Sequence, residues 1–136
     1  MPVAEYSTEK KPTIFIIDPD ETHCLGVVSL LEKLGYCTMT FASAEDFLGS
    51  LSDPILRGCV VSEMKLPGIN GLELLTALRE RAISLPFIVL TSDPDVARAV
   101  TALRSKVANY LVKPFVSRDL AHTIETALIQ PESANG

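Results

Sequence analysis

The stretch CVVSEMKLPGINGLELL, residues 59–75, decides the fold. An apolar run, Cys59 to Ser62, is followed at once by an acid, Glu63. A turn comes next, Leu66-Pro67-Gly68, and then an amphipathic helical pattern. A short apolar strand feeding a turn and a helix is the front half of a βαβ unit. An acid at the carboxyl end of such a strand stands at the mouth of a parallel sheet, where open α/β folds bind and react.

Outward from this stretch, apolar runs alternate with helical patterns. Thr13 to Ile17 is a candidate first strand. Cys24, Val27, Val28, Leu31 and Leu34 recur at helical spacing and predict a helix from about Asp20 to Leu34, stopped by Gly35. Cys37 to Phe41 is a second strand, and Ser43 caps a helix running to about Leu51. Asp53-Pro54 marks a turn before the third strand, Arg57 to Ser62. Asn70 caps a third helix through about Arg81 that buries Leu74, Leu75 and Leu78. Leu85 to Leu90 is a fourth strand; Asp93 caps a fourth helix with Val96, Val100 and Leu103 on one face. Val107 to Val112 is a fifth strand, and Phe115 to Ile129 a fifth helix with Leu120, Ile124 and Leu128 inward. Five strands alternating with five helices predict an α/β fold, a doubly wound (βα)5 parallel five-stranded sheet with helices on both faces.

Composition bounds the function. With 136 residues, 47% of them apolar, the chain is one globular domain by default. A formal charge of −5 argues against direct nucleic-acid binding, which needs clustered Lys and Arg. The three cysteines show no metal spacing and no CxxC, so Cys24, Cys37 and Cys59 are expected to be reduced core thiols. No apolar run is long enough to span a membrane, and residues 1–12 lack a signal-peptide core, so a cytoplasmic location is expected. His23 and His122 are expected to be solvated helix-surface residues.

The polar residues at the strand ends converge if the strand order is 2-1-3-4-5. They are Asp18-Pro19-Asp20 after the first strand, Glu63 after the third, Thr91-Ser92 after the fourth, and Lys113-Pro114 after the fifth. The pieces IFIIDPDE, FASAEDFL, LPGINGLELL, FIVLTS and NYLVKPF, in this order and at this spacing, resemble a bacterial response-regulator receiver domain. FASAEDFL is particularly similar to receivers of nitrogen-fixation and LuxR-type regulators. The resemblance covers residues 13–130 as one CheY-like domain between polar tails, 1–12 and 131–136.

The resemblance implies a phosphoryl-accepting aspartate, two acids that hold Mg²⁺ with it, and a hydroxyl and a lysine that contact the phosphoryl oxygens. Asp18 matches the first acid, Thr91 the hydroxyl, Lys113 the lysine, and Tyr110 the aromatic that moves with activation state. Two positions depart. Pro19 stands in place of the second acid, and Glu63 in place of the acceptor aspartate. Asp20 is expected to cap the first helix rather than replace the lost ligand. Proline offers no side-chain oxygen, so neither a bound Mg²⁺ nor another metal cofactor is expected. Glu63 carries its carboxylate about 1.5 Å farther out than aspartate, one carbon–carbon bond. An ångström of misplacement costs in-line transfer on the order of 100-fold.

The expected function is therefore an atypical receiver: a non-enzymatic signalling module working through protein contacts independently of phosphorylation. Its partner would be another protein or its own effector domain. The face made by the fourth helix, fifth strand and fifth helix, with Arg98, Arg104, Lys106, Arg118 and Asp119, would be the docking or homodimer surface. The alternative is a phosphorylation-competent receiver of a two-component system that regulates transcription through a DNA-binding domain outside this chain. A nucleotide- or flavin-binding protein of the same topology is disfavoured, since no Gly-rich loop follows the first strand.

Overall fold

Alternation of apolar residues along the strands builds two cores, one on each face of a sheet. The computed structural model describes residues 12–51, 57–102 and 108–129. The strands are β1 (Thr13–Ile17), β2 (Cys37–Phe41), β3 (Gly58–Glu63), β4 (Phe87–Thr91) and β5 (Ala108–Val112). The helices are α1 (Glu21–Lys33), α2 (Ala44–Ser50), α3 (Gly71–Glu80), α4 (Pro94–Ala102) and α5 (Ser117–Ile129). All described strand pairs are parallel, in the order β2-β1-β3-β4-β5, the expected topology.

Phe15, Ile17, Val60, Phe87 and Val89 point to one face and pack against Ala44 and Phe47 of α2 and Leu74, Leu75 and Leu78 of α3. Val96 of α4 and Tyr110 of β5 join this cluster at its edge. Ile14, Ile16, Val61, Ile88 and Leu90 point to the other face, against Cys24, Val27 and Leu31 of α1 and Leu120 and Ile124 of α5. Burying one such Leu or Ile side chain contributes about 1.5–3 kcal/mol.

The predicted caps are present. Asp20 accepts from the His23 amide at 3.1 Å, Ser43 from Asp46 at 3.0 Å, and Asn70 forms a reciprocal capping box with Glu73. Each such cap stabilises by about 1 kcal/mol. Gly35 takes a φ of 95° past α1, as a C′ residue should. Gly58 is required at the start of β3: its φ is 150°, and a Cβ there would overlap the Thr13 carbonyl oxygen of β1.

Several boundaries shift. β3 starts at Gly58 rather than Arg57 and includes Glu63, so the acid is the last strand residue rather than the first loop residue. β4 starts at Phe87 rather than Leu85. Pro86 has no N–H for the ladder, and only its carbonyl is used, by the Val60 amide at 2.8 Å. α5 starts at Ser117 rather than Phe115, after the cis Lys113-Pro114 bond. The Asp53-Pro54 turn, Leu103, Arg104, Lys106, Val107, residues 1–11 of the N-terminal tail, Gln130 and the C-terminal tail 131–136 lie outside the described residues. Cys37 corrects the expectation of three core thiols: it is exposed, because β2 is the edge strand and mostly faces solvent. Among the described residues no helix is long and apolar enough to cross a membrane.

Candidate functional site

The site is built on the sheet's central rung. Every residue of β3 is buried, and its last, Glu63, is only 9% exposed. β3 is flanked by β1 and β4, with Ile17 opposite Ser62 and Glu63 opposite Leu90. Asp18, one residue past β1, and Thr91, at the end of β4, therefore come to the same edge, and both are buried. Lys113 follows β5, and its amide donates to the Thr91 carbonyl at 2.7 Å. The loop after Glu63 is held by the Gly71 amide, which donates to the Met64 carbonyl at 2.9 Å.

Lys113 Nζ lies 2.5 Å from Glu63 Oε1. The pair is half-sheltered, with side-chain exposures of 31% and 11%. Thr91 is at the edge, but its Oγ1 accepts from the Asp93 amide at 3.0 Å, closing the turn into α4. Asp18 uses both oxygens. Oδ1 accepts the Asp20 amide at 2.8 Å, and Oδ2 lies 2.5 Å from His23 Nδ1. Asp20 is exposed and spends its carboxylate on the cap of α1; Pro19 is exposed and carries no polar side-chain atom. Tyr110 is half-buried with its body against the α2–α3 core cluster.

His23 corrects the expectation of a solvated surface histidine. Its Nδ1 sits between Asp18 Oδ2 at 2.5 Å and Glu63 Oε2 at 3.5 Å. The signal was present in the sequence. His23 is the third residue of α1 after the Asp20 cap, and side chains in a first turn lean toward the helix N-terminus. That lean points it back over Asp18. His122, on α5, is exposed.

The electrostatics follow from burial. Desolvation pushes the Glu63 carboxyl above its ordinary value, and nearby Asp18 adds to the rise. The hydrogen bond and charge of Lys113, and then His23, oppose it without cancelling it. Glu63 Oε2 is buried and accepts no hydrogen bond among the described residues. Beside the ion pair a cleft of about 630 Å³ opens between Glu63, Met64, Thr91, Val96 and Lys113. The cleft admits a side chain or small ligand against Lys113, while the other oxygen of Glu63 faces the Asp18–His23 side.

The response regulator receiver domain family matches residues 14–125. The chain is 34% identical over 124 residues to the transcriptional regulatory protein FixJ of Bradyrhizobium diazoefficiens, covering 91% of this chain and 60% of that protein. It is 31% identical over 121 residues to the transcriptional regulatory protein TdiR of Thauera aromatica, covering 89% of this chain and 53% of that one. The chain thus spans between half and two thirds of these relatives. Among solved structures, full-length FixJ from B. japonicum superposes with a TM-score of 0.77 at 33% identity, covering 93% of this chain and 62% of that chain. The chemotaxis regulator CheY4 of Vibrio cholerae, at 21% identity and a TM-score of 0.73, covers 86% of this chain and 98% of its own and shares the fold.

Proposed function

The chain belongs to the response regulator receiver family, and from that premise we propose a receiver whose output does not pass through a phosphorylated acid. One observation carries the reading: the lysine matching the phosphoryl contact is already committed, with Lys113 Nζ 2.5 Å from Glu63 Oε1. A glutamate reaching this lysine supplies the negative charge that a phosphorylated aspartate would otherwise bring. Charge at that point biases the arrangement of Thr91 and Tyr110 toward one state. Partner contacts then run through α4, β5 and α5, where Arg98, Val112 and Arg118 are exposed.

The donor set supports the same reading against Mg²⁺. That ion wants near-ideal octahedral oxygen coordination and gives up water reluctantly. Here Pro19 offers no oxygen, Asp20 is occupied as a cap, and an imidazole nitrogen stands against Asp18 Oδ2.

The test is incubation with acetyl phosphate and Mg²⁺ followed by intact-mass measurement. The wild-type chain is expected to stay unmodified. The double variant Pro19→Asp with Glu63→Asp, which restores both acids, is expected to gain one phosphoryl group. A stable phosphoryl adduct on wild-type Glu63 would show a phosphorylation-competent receiver and sink the proposal.

A further inference from the structure

The Asp18–His23–Glu63 cluster has the chemistry of a transition-metal site rather than a Mg²⁺ site. One donor atom from each side chain lies within 4.8 Å of the other two. Each carboxylate is used in the same divided way. Asp18 anchors Oδ1 on the Asp20 amide and turns Oδ2 to the cluster. Glu63 anchors Oε1 on Lys113 and leaves Oε2, buried and without a hydrogen bond, toward His23. Two monodentate oxygens, each steadied through its second oxygen, and one imidazole nitrogen form a three-ligand set with outer-shell support.

We propose that this cluster binds a borderline divalent transition metal, of the Zn²⁺ class, through Asp18 Oδ2, His23 Nδ1 and Glu63 Oε2. Bonds of about 2.1 Å to nitrogen and oxygen place tetrahedral donors about 3.4 Å apart. The Nδ1–Oε2 separation of 3.5 Å already meets that spacing. The Nδ1–Oδ2 separation of 2.5 Å is that of a hydrogen bond and opens by under about 1 Å when the metal replaces the shared proton. That proton leaves to solvent or the imidazole takes the tautomer protonated at Nε2, since the ligand must offer a neutral lone pair. His23 is 33% exposed, which gives the ion a way in and a fourth position for water. A nitrogen donor in a set of three protein ligands selects Zn²⁺, Co²⁺ or Ni²⁺ over the hard ions. The inference stands apart from the phosphorylation reading: it needs the donor set, not the inertness of Glu63.

The experiment is calorimetric titration of the chelator-stripped full chain with ZnCl₂ in phosphate-free buffer, alone and with excess Mg²⁺. One equivalent is expected to bind, undisplaced by Mg²⁺. His23→Ala is expected to weaken binding by no less than the roughly 10–100-fold that loss of an outer-shell partner costs. Cys37→Ser, which removes the exposed thiol as a competing ligand, is expected to leave affinity unchanged. Nitrogen-15 spectra of the wild-type imidazoles, which need no variant, are expected to show the His23 Nδ1 resonance moving on Zn²⁺ addition. Absence of binding, affinity that follows Cys37 instead of His23, or equal displacement by Mg²⁺ would overturn the site. A chain that binds Zn²⁺ and also accepts phosphate keeps this site and loses the proposal before it.

Discussion

Removing the lysine amine from the Glu63 pair leaves a carboxylate with 11% of its side chain exposed and no opposite charge on Oε1. Lys113→Ala is the perturbation. Charge centres about 4 Å apart attract by about 4 kcal/mol at an effective dielectric near 20. Breaking a fully buried pair costs about 3–5 kcal/mol, while a solvated one costs at most about 1. Lys113 is 31% exposed, so water enters the space it leaves and the loss falls between these bounds, at about 1–3 kcal/mol at neutral pH. The loss depends on pH with a definite sign. Burial already raises the Glu63 pKa above its ordinary 4.5, and loss of Lys113 raises it further. A carboxyl raised in the fold stabilises below its unfolded pKa and loses that contribution as pH rises through the folded one. The deficit of Lys113→Ala therefore shrinks as pH falls toward 4.5. Asp18 and His23 face the other oxygen and are unchanged by the substitution. Urea unfolding at neutral pH and near pH 5, in wild-type and Glu63→Gln backgrounds, measures the effect. In the Gln background, which carries no charge, Lys113→Ala is expected to cost under about 0.5 kcal/mol, the size of an ordinary surface change. Equal costs in both backgrounds, or no pH dependence, would refute the buried-pair reasoning.

Other outcomes are as definite. Gly58→Ala is expected to destabilise by about 2 kcal/mol or more, since a Cβ at a φ of 150° overlaps the Thr13 carbonyl; thermal unfolding reads it. Native-state alkylation is expected to label Cys37 first and to spare Cys59, whose thiol burial pushes up to about 12. Mass mapping of the adducts checks the order, and early modification of Cys59 would contradict the burial of β3.

The fold was legible wherever a local rule and a tertiary need agreed. Asp20, Ser43 and Asn70 are capping residues by type, and the structure uses them so. The paired clusters of Ile14/Ile16 and Phe15/Ile17 follow from strand alternation in a sheet covered on both sides. Ends were less legible. A run such as Leu85-Pro86-Phe87 reads as apolar throughout, but the ladder starts only where a backbone N–H is available. Cys37 was misread because burial at an edge strand depends on what covers it, which alternation does not encode. At the site, Glu63, Asp18, Thr91 and Lys113 could be placed together from strand order alone. His23 could not be placed by type, because a helix-surface histidine is commonly solvated. Only the backward lean of a first-turn side chain brings its ring over Asp18.

The central position of β3 divides the site in time. Its amides are paired on both edges and its side chains are shut from water on both faces. Such a strand exposes its amides to solvent exchange only when the whole domain opens. The floor under Glu63 therefore lives as long as the fold does. The groups that meet it, His23 and Lys113, are each about a third exposed and belong to a helix start and a strand end. Both side chains can be reached from solvent without opening the sheet. A fixed acid is thus met by two reachable groups, one from the start of α1 and one from the end of β5. A ligand or partner that captures either group would change the site while β3 stays in place.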